Sequence, residues 1–349
     1  MAKRAGRRVT LADVAQAAGV GSATVDRVVN ERGNVSEEVS RKVLAVAREL
    51  GLNRRLPQSH RRLIRIEVIL VRPELPLIAR MHQEFRRLAA ALDASIVLHR
   101  TMLKTEEPAA VARALRRTGC DAVIVYARND PAIRDAVAAL DARGVPVVTL
   151  ISDLPETARI GYAGPDHYRS GRTAGFFIRA MARAPGTVIV LCNSRDIQSH
   201  SARIRGIEAF MKEQGPGFRI RGVVEGRDDR VRSEALLRKA FAEAPEAVAV
   251  YNVGAANLGV EAAIRAAILD APPVFVGHEL TLHSARMLRE GIMSLAIDQS
   301  PEVQAKLAVS HVLKHFDFAA AGEDVDIYDT KPLEVVLYSP ENIPLDMAR

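Results

Sequence analysis

Two cysteines, Cys120 and Cys192, are too few in 349 residues to build a disulfide framework, and neither lies in a CxxC pair. Their expected place is in the core, as small apolar side chains. No apolar run reaches the roughly 20 residues that a membrane helix needs. The N-terminus carries Lys3, Arg4, Arg7 and Arg8, but Val9-Thr10-Leu11-Ala12-Asp13 follows in place of the apolar core of a secretory signal. A cytoplasmic protein without a membrane partner is expected. Catalytic signatures are missing too. No glycine-rich phosphate loop follows the first strand-like run, and HExxH and GxSxG do not occur. The segment Val253-Gly254-Ala255-Ala256-Asn257-Leu258-Gly259 is too loose for a dinucleotide fingerprint. An enzyme is disfavoured, and neither a cofactor nor a metal is expected.

What is present begins with charge. Residues 1–62 hold 13 Lys/Arg against 6 Asp/Glu, and the net charge of the whole chain is +7. The excess positive charge therefore sits in the first sixth, and the remainder is balanced. A patterned basic block at a terminus points to a polyanion, usually nucleic acid.

Within that block, Thr10 and Asp13 are spaced as a capping box, and Leu11, Val14, Ala15 and Ala18 follow at helical spacing. Gly19 supplies a left-handed stop. A second helix is expected with Ser22 as its cap, running to about Asn30. The two make a helix-turn-helix. A third helix starts near Ser36, buries Val39, Val43, Leu44, Ala47 and Leu50, and ends at Gly51. The N-terminal part of the second helix enters the major groove in this arrangement, which exposes Ser22, Ala23, Thr24, Asp26 and Arg27. Arg27 is the best base reader, because its fork matches the paired acceptors of guanine. Ser22 and Thr24 can donate to phosphates or bases, and Ala23 can touch a thymine methyl. Asp26 is expected either to pair with Arg27 or to accept from a cytosine amino group.

The Val-Thr-Leu-Ala-Asp-Val-Ala opening, the Ala-Gly-Val turn, the Thr-Val-Asp-Arg-Val-Val-Asn helix and the following Val-Ser together closely resemble the DNA-binding head of the LacI/GalR family. The resemblance implies base contacts from Ser22, Ala23 and Arg27, with Thr10, Asn30, Asn34 and Ser36 at or near the DNA backbone. Asp26 stands where the family usually has serine. The linker departs further: the family's Pro-Asn and Ala-Arg-x-Leu hinge motif is missing, and Pro57 interrupts the segment. Phosphate contacts from Arg54, Arg55, Arg61 and Arg62 are expected there. A Leu56 wedge into the minor groove and a flexible linker are the alternatives.

From Leu63 onward, strand-like runs alternate with helical ones in two series, separated near Asp166. That alternation argues for two doubly wound parallel sheets with a ligand cleft at the strand C-terminal ends. The expected fold is an all-α helix-turn-helix head over residues 1–62, then a two-lobed α/β effector domain over 63–349, like the periplasmic sugar-binding proteins. In that family Ser201-Ala202-Arg203-x-x-Gly206 matches the ligand-clamping arginine at Arg203. Asn252 falls in the family's asparagine region, with Asn257 a few residues later, and both are polar in an otherwise apolar stretch. Glu279 stands where the family places an aspartate, and Gln299 lies on the crossover between lobes. Tyr126, Asn129, Ser152 and Asp153 lie at strand ends of the first lobe. Arg203, Asp153 and Glu279 are expected to hold a sugar or polyol from opposite sides, while Tyr251 and Phe275 are expected in the core. A homodimer is expected through Ile78, Met81, Phe85 and Leu88. The functional expectation is a ligand-responsive, operator-binding regulator, with repression as its expected sense. The alternative is a carbohydrate-binding module with a vestigial head.

Overall fold

The computed structural model describes residues 9–30, 32–52, 63–318 and 333–347. The chain divides into two compact units, Met1–Leu63 and Ile64–Arg349.

The described residues of the first unit form three helices, α1 (Leu11–Ala18), α2 (Ser22–Val29) and α3 (Glu37–Glu49). The capping box forms: Thr10 Oγ1 accepts from Asp13 N at 3.3 Å, and Asp13 Oδ2 accepts from Thr10 N at 2.7 Å. Gly19 ends α1 in the left-handed conformation, at φ 66°. Val14, Ala18, Val25, Val43 and Ala47 are fully buried and bind the three helices together. Two expectations need correction. Gly21, not Ser22, caps α2, without a side-chain hydrogen bond, so Ser22 lies inside the helix. Leu50 is 38% exposed, because the chain reverses at Gly51 (φ 69°) and tucks Leu52 into the core instead.

The second unit is bilobed. Its first lobe carries a five-stranded parallel sheet in the order β2-β1-β3-β4-β5, formed by β1 (Ile64–Val71), β2 (Ile96–Leu103), β3 (Ala122–Val125), β4 (Val147–Leu150) and β5 (Gly161–Ala163). Strand β1 is buried on both faces, which is the signature of a sheet covered by helices on each side. Ile66, Val68 and Leu70 face α4 (Pro76–Ala91) and α12 (Pro301–His315). Ile69 and Val71 face α5 (Pro108–Arg117) and α6 (Pro131–Asp141).

The second lobe repeats the plan with β6 (Thr187–Cys192), β7 (Arg219–Glu225), β8 (Ala247–Asn252), β9 (Val274–His278), β10 (Leu295–Asp298) and β11 (Val336–Tyr338). The sheet order is β11-β10-β9-β8-β6-β7, parallel except for β11. One face packs on α7 (His167–Met181) and α8 (Gln198–Gln214). The other packs on α9 (Arg230–Glu243), α10 (Asn257–Ala266) and α11 (Leu282–Arg289).

The chain passes between lobes after β5 and again after β10, so α12 belongs to the first lobe although it follows the second in sequence. This overturns the expected dimer face. Ile78, Met81 and Phe85 are at most 1% exposed, because Ala305, Ala308, Val309 and Val312 of α12 cover the apolar side of α4. No helix among the described residues is long and apolar enough to cross a membrane.

Candidate functional site

The head presents Ser22, Ala23 and Arg27 exposed on one helix, with Thr24 half-buried. Asp26 does not pair with Arg27. Its Oδ1 accepts from Asn30 Nδ2 at 2.6 Å and its Oδ2 from Arg32 Nη1 at 2.8 Å. Asn30 lies one helical turn on and shares its face, whereas adjacent Arg27 points about 100° away. Arg32 thus offsets the carboxylate that would repel a phosphate, and Arg27 is left free of it. Thr10 spends its hydroxyl on Asp13 Oδ2 at 2.7 Å. Asn34 and Ser36 are exposed, Asn34 in the left-handed region at φ 55°. Arg54, Arg55, Leu56, Pro57, Arg61 and Arg62 lie outside the described residues.

In the bilobed unit, backbone strain marks the site. Arg72, Ile151, Arg227, Asp228, Glu279 and Ser300 all have positive φ, between 51° and 69°. Each follows the C-terminal end of a strand. Such conformations cost about 1–3 kcal/mol each for non-glycine residues and cluster at ligand clamps. The strand ends border a cavity of about 50 Å³, whose lining includes Tyr126, Ile151, Ser199, His200, Arg203, Asp228, His278, Glu279 and Gln299. The space suffices for a few waters, so the lobes are nearly closed on each other.

Arg203 lines this cavity. It rises from α8, whose backbone is pressed against α7: a Cβ at Gly171 would lie 2.0 Å from Arg203 O, and one at Gly206 would lie 2.1 Å from Tyr168 O. Only glycine permits that approach. The side chain is 3% exposed, and Nη1 donates to Val253 O at 2.7 Å. Among the described residues Nε and Nη2 have no partner. Burial pulls its pKa down, against the nearby tyrosines and Glu279. His200 precedes Arg203 by one turn and is held neutral, its pKa lowered to about 3 by burial and by the Arg203 charge. Its Nδ1 accepts from Asn193 N at 3.2 Å, which places the proton on Nε2.

Glu279 and Gln299 face each other at the end of β9 and the start of the second crossover. Gln299 Nε2 donates to Glu279 Oε1, leaving Glu279 Oε2 and Gln299 Oε1 without hydrogen-bond partners. Burial, then the neighbouring Asp298 carboxylate, pushes Glu279 well above the usual carboxylate range. Arg80 on α4 binds this region across the cleft. It donates to Asp298 Oδ2 at 2.5 Å, Leu280 O at 3.2 Å and Glu302 Oε1 at 2.9 Å, and its Nη1 lies 3.5 Å from Glu279 Oε2. Further bonds join the lobes: Ser199 N donates to Ser152 Oγ at 3.3 Å, Arg72 Nη1 donates to Arg227 O at 3.2 Å, and His167 Nε2 on α7 meets Ile151 O at 2.6 Å.

The structure therefore brings together Tyr126, Arg203, Glu279 and Gln299 of the residues expected from sequence, with Ser152 at the lobe contact. Others have different work. Asp153 is outside the cavity lining, because Arg159 binds both its oxygens and Thr149 Oγ1 and Leu154 N also donate to it. It closes the β4–β5 loop locally. Asn129 accepts from Arg134 Nη1 at 2.9 Å beside α6. Asn252 donates to Asn257 Oδ1 at 2.7 Å, and Asn257 donates to His278 O at 2.8 Å. This pair ties the β8–α10 turn to β9. Sequence reasoning missed His200, Asp228 and His278. The signal for His200 was its one-turn spacing from Arg203. Among the described residues no group of three or more His, Cys, Asp or Glu could hold a metal.

A helix-turn-helix head and a bilobed α/β unit with a strained, polar cleft define a DNA-binding regulator of the class that carries a ligand-binding-protein fold. Residues 10–54 match the model of bacterial regulatory proteins of the lacI family, and residues 66–320 match that of the periplasmic binding protein domain. The chain belongs to the lacI family, with a periplasmic-binding-protein-like effector domain. Neither family is one of enzymes. Among curated proteins no relative matches. The fold is similar to solved sugar-binding proteins. A glucose-galactose binding protein from Geobacillus stearothermophilus is 19% identical, with a TM-score of 0.71, over 82% of this chain and 100% of that one. An arabinose binding protein from the same organism is 14% identical, with a TM-score of 0.64, over 80% and 97%. A periplasmic solute binding protein from Actinobacillus succinogenes 130z, solved with bound D-allose, is 17% identical, with a TM-score of 0.69, over 80% and 98%.

Proposed function

We propose that this chain is an operator-binding repressor, acting as a homodimer, whose DNA affinity is set by a small polyhydroxylated effector held between the two lobes. The observation that carries this reading is Arg203: a guanidinium 3% exposed at the cleft, with Nε and Nη2 unpartnered among the described residues, in a cavity that also holds Gln299 Oε1, likewise without a hydrogen-bond partner. A sugar hydroxyl both donates and accepts, so a cluster of unspent donors and acceptors suits it. The relatives of this fold whose names mention a sugar lend support. The ligand acts by linkage: it favours one lobe arrangement, and the arrangement that binds ligand better binds operator differently. A single recognition helix reads a half-site, so two heads on a palindrome fit the homodimer. The test is a gel shift with DNA from upstream of the protein's own gene, with and without monosaccharides that raise the melting temperature of the full chain. A sequence-specific shift altered by such a sugar is expected. Specific binding that no stabilising sugar changes contradicts effector control, and no specific binding contradicts the regulator itself.

A further inference from the structure

We infer that the effector carries a carboxylate, being a sugar acid rather than a neutral sugar, and that the carboxylate seats on the Nε–Nη2 edge of Arg203. This rests on the sugar-sensing reading above and narrows it.

The geometry of the guanidinium comes first. Nη1 is spent on Val253 O, at 2.7 Å, which fixes the plane of the group. Nε and Nη2 form the remaining edge, and neither has a partner among the described residues. Two parallel N–H bonds from one edge are the arrangement that a carboxylate receives bidentately.

Charge balance comes second. No carboxylate of the described residues forms an ion pair with Arg203 within 4.0 Å. The two acids that border the cavity, Asp228 and Glu279, feel the Arg203 charge but do not touch it. Asp228 accepts from Asn193 Nδ2 at 2.9 Å on one oxygen and from Ala255 N at 2.8 Å on the other. Glu279 accepts from Gln299 on Oε1, and its Oε2 looks toward Arg80. A buried cation with no carboxylate in contact keeps a desolvation cost that these acids offset only in part. Hydroxyl groups would satisfy its hydrogen bonds but leave that cost standing, whereas a carboxylate removes both deficits.

The surroundings also suit an anion. His200 is a neutral donor through Nε2, and burial favours the protonated, uncharged form of Glu279. The acceptor needed for the hydroxyls of the same molecule remains at Gln299 Oε1.

The test uses the full chain, with calorimetry and thermal shift at one salt concentration. Probes are matched by stereochemistry: D-gluconate and D-glucuronate against D-glucose, D-galactonate and D-galacturonate against D-galactose, and D-arabinonate against D-arabinose. At least one acid should bind about tenfold or more tightly than its neutral partner. Arg203→Lys keeps the charge but loses the fork, and should weaken that acid by about tenfold. Without ligand, Arg203→Gln should melt at or above the wild-type temperature, because a poorly compensated buried charge is gone. A neutral sugar that binds as tightly as its acid overturns the inference and leaves sugar sensing standing. Binding by no member of the panel overturns both. A ligand-free Arg203→Gln that melts several degrees lower shows a structural counter-charge and overturns the inference alone.

Discussion

Arg80 Nη1 donates to Asp298 Oδ2 at 2.5 Å, and through this bond a first-lobe helix holds the second crossover. The same guanidinium reaches Leu280 O and Glu302 and lies beside Glu279. Burial works to lower the Arg80 pKa, but the Asp298 hydrogen bond and charge more than reverse it, so the ionised latch is favoured. A ligand that engages Glu279 therefore touches the group that ties the lobes together.

Removing the latch should cost stability. Arg80→Ala leaves the nearly buried Asp298 carboxylate (3% exposed) without its main cation. The expected loss is about 2–3 kcal/mol, between the ranges for exposed and buried pairs. Glu302→Gln, at a side chain 38% exposed, should cost less than about 1 kcal/mol. Urea denaturation of both variants checks the difference; equal losses would show that Asp298 is held by something else.

The buried histidines predict an acid limit. His167, His200 and His278 all have pKa values lowered by burial and by the Arg203 charge. Their neutral forms are preferred in the fold, so the unfolded chain binds more protons below pH 6.5. Stability is present above that value and falls as pH drops, by up to about 1.4 kcal/mol per pH unit for each histidine. Glu279 works in the opposite sense: its raised pKa contributes stability at low pH that is lost as pH rises above the usual glutamate range. Urea midpoints should therefore drop steeply from pH 6.5 to 5. The slope should shrink in His200→Gln, and Glu279→Gln should flatten the decline on the alkaline side. An unchanged acid slope in His200→Gln would mean that this ring is charged in the fold.

Gly171 sets the α7–α8 approach on which Arg203 depends. Gly171→Ala places a methyl 2.0 Å from Arg203 O, so the helices must part. A loss of about 2–3 kcal/mol is expected, with weaker effector binding. A wild-type melting temperature in this variant would show the crossing to be looser than described.

In the head, Arg27→Ala should lower the ratio of operator to random-DNA affinity by about fivefold or more, the scale of one bidentate arginine–guanine contact. The melting temperature of the bilobed unit should not move. Asp26→Ala, which leaves Arg32 without its 2.8 Å partner, should raise affinity for random DNA and steepen its salt dependence. Anisotropy titrations at two salt concentrations measure both. An unchanged discrimination ratio in Arg27→Ala would remove it as a base reader.

Local rules made much of this legible. Thr10 and Asp13 at capping distance, Gly19 after an apolar helix face, and the strand–helix alternation all act over a few residues, and the structure follows them. The misreadings came from partners outside that range. Ile78, Met81 and Phe85 look like an unpaired apolar face until α12 arrives from more than 200 residues away to cover it. Asp153 sits at a strand end, where a ligand acceptor is expected, but Arg159 in the same loop takes its charge. Asn252 and Asn257 are polar in an apolar stretch because they bond each other and the β9 backbone. Arg203 was readable from its motif; that its Nε and Nη2 are left without a partner among the described residues was not, since that depends on which oxygens approach in three dimensions.

The central claim is that Arg203 in the cleft controls DNA binding through a small ligand. Its most direct test is operator affinity by anisotropy, at fixed salt, for wild type and Arg203→Ala, each with and without the stabilising ligand found in the thermal-shift panel. The account predicts that ligand changes wild-type affinity by about fivefold or more, that ligand-free Arg203→Ala binds operator like wild type, and that its ligand response is lost. An Arg203→Ala protein that responds to ligand as wild type does would contradict the account.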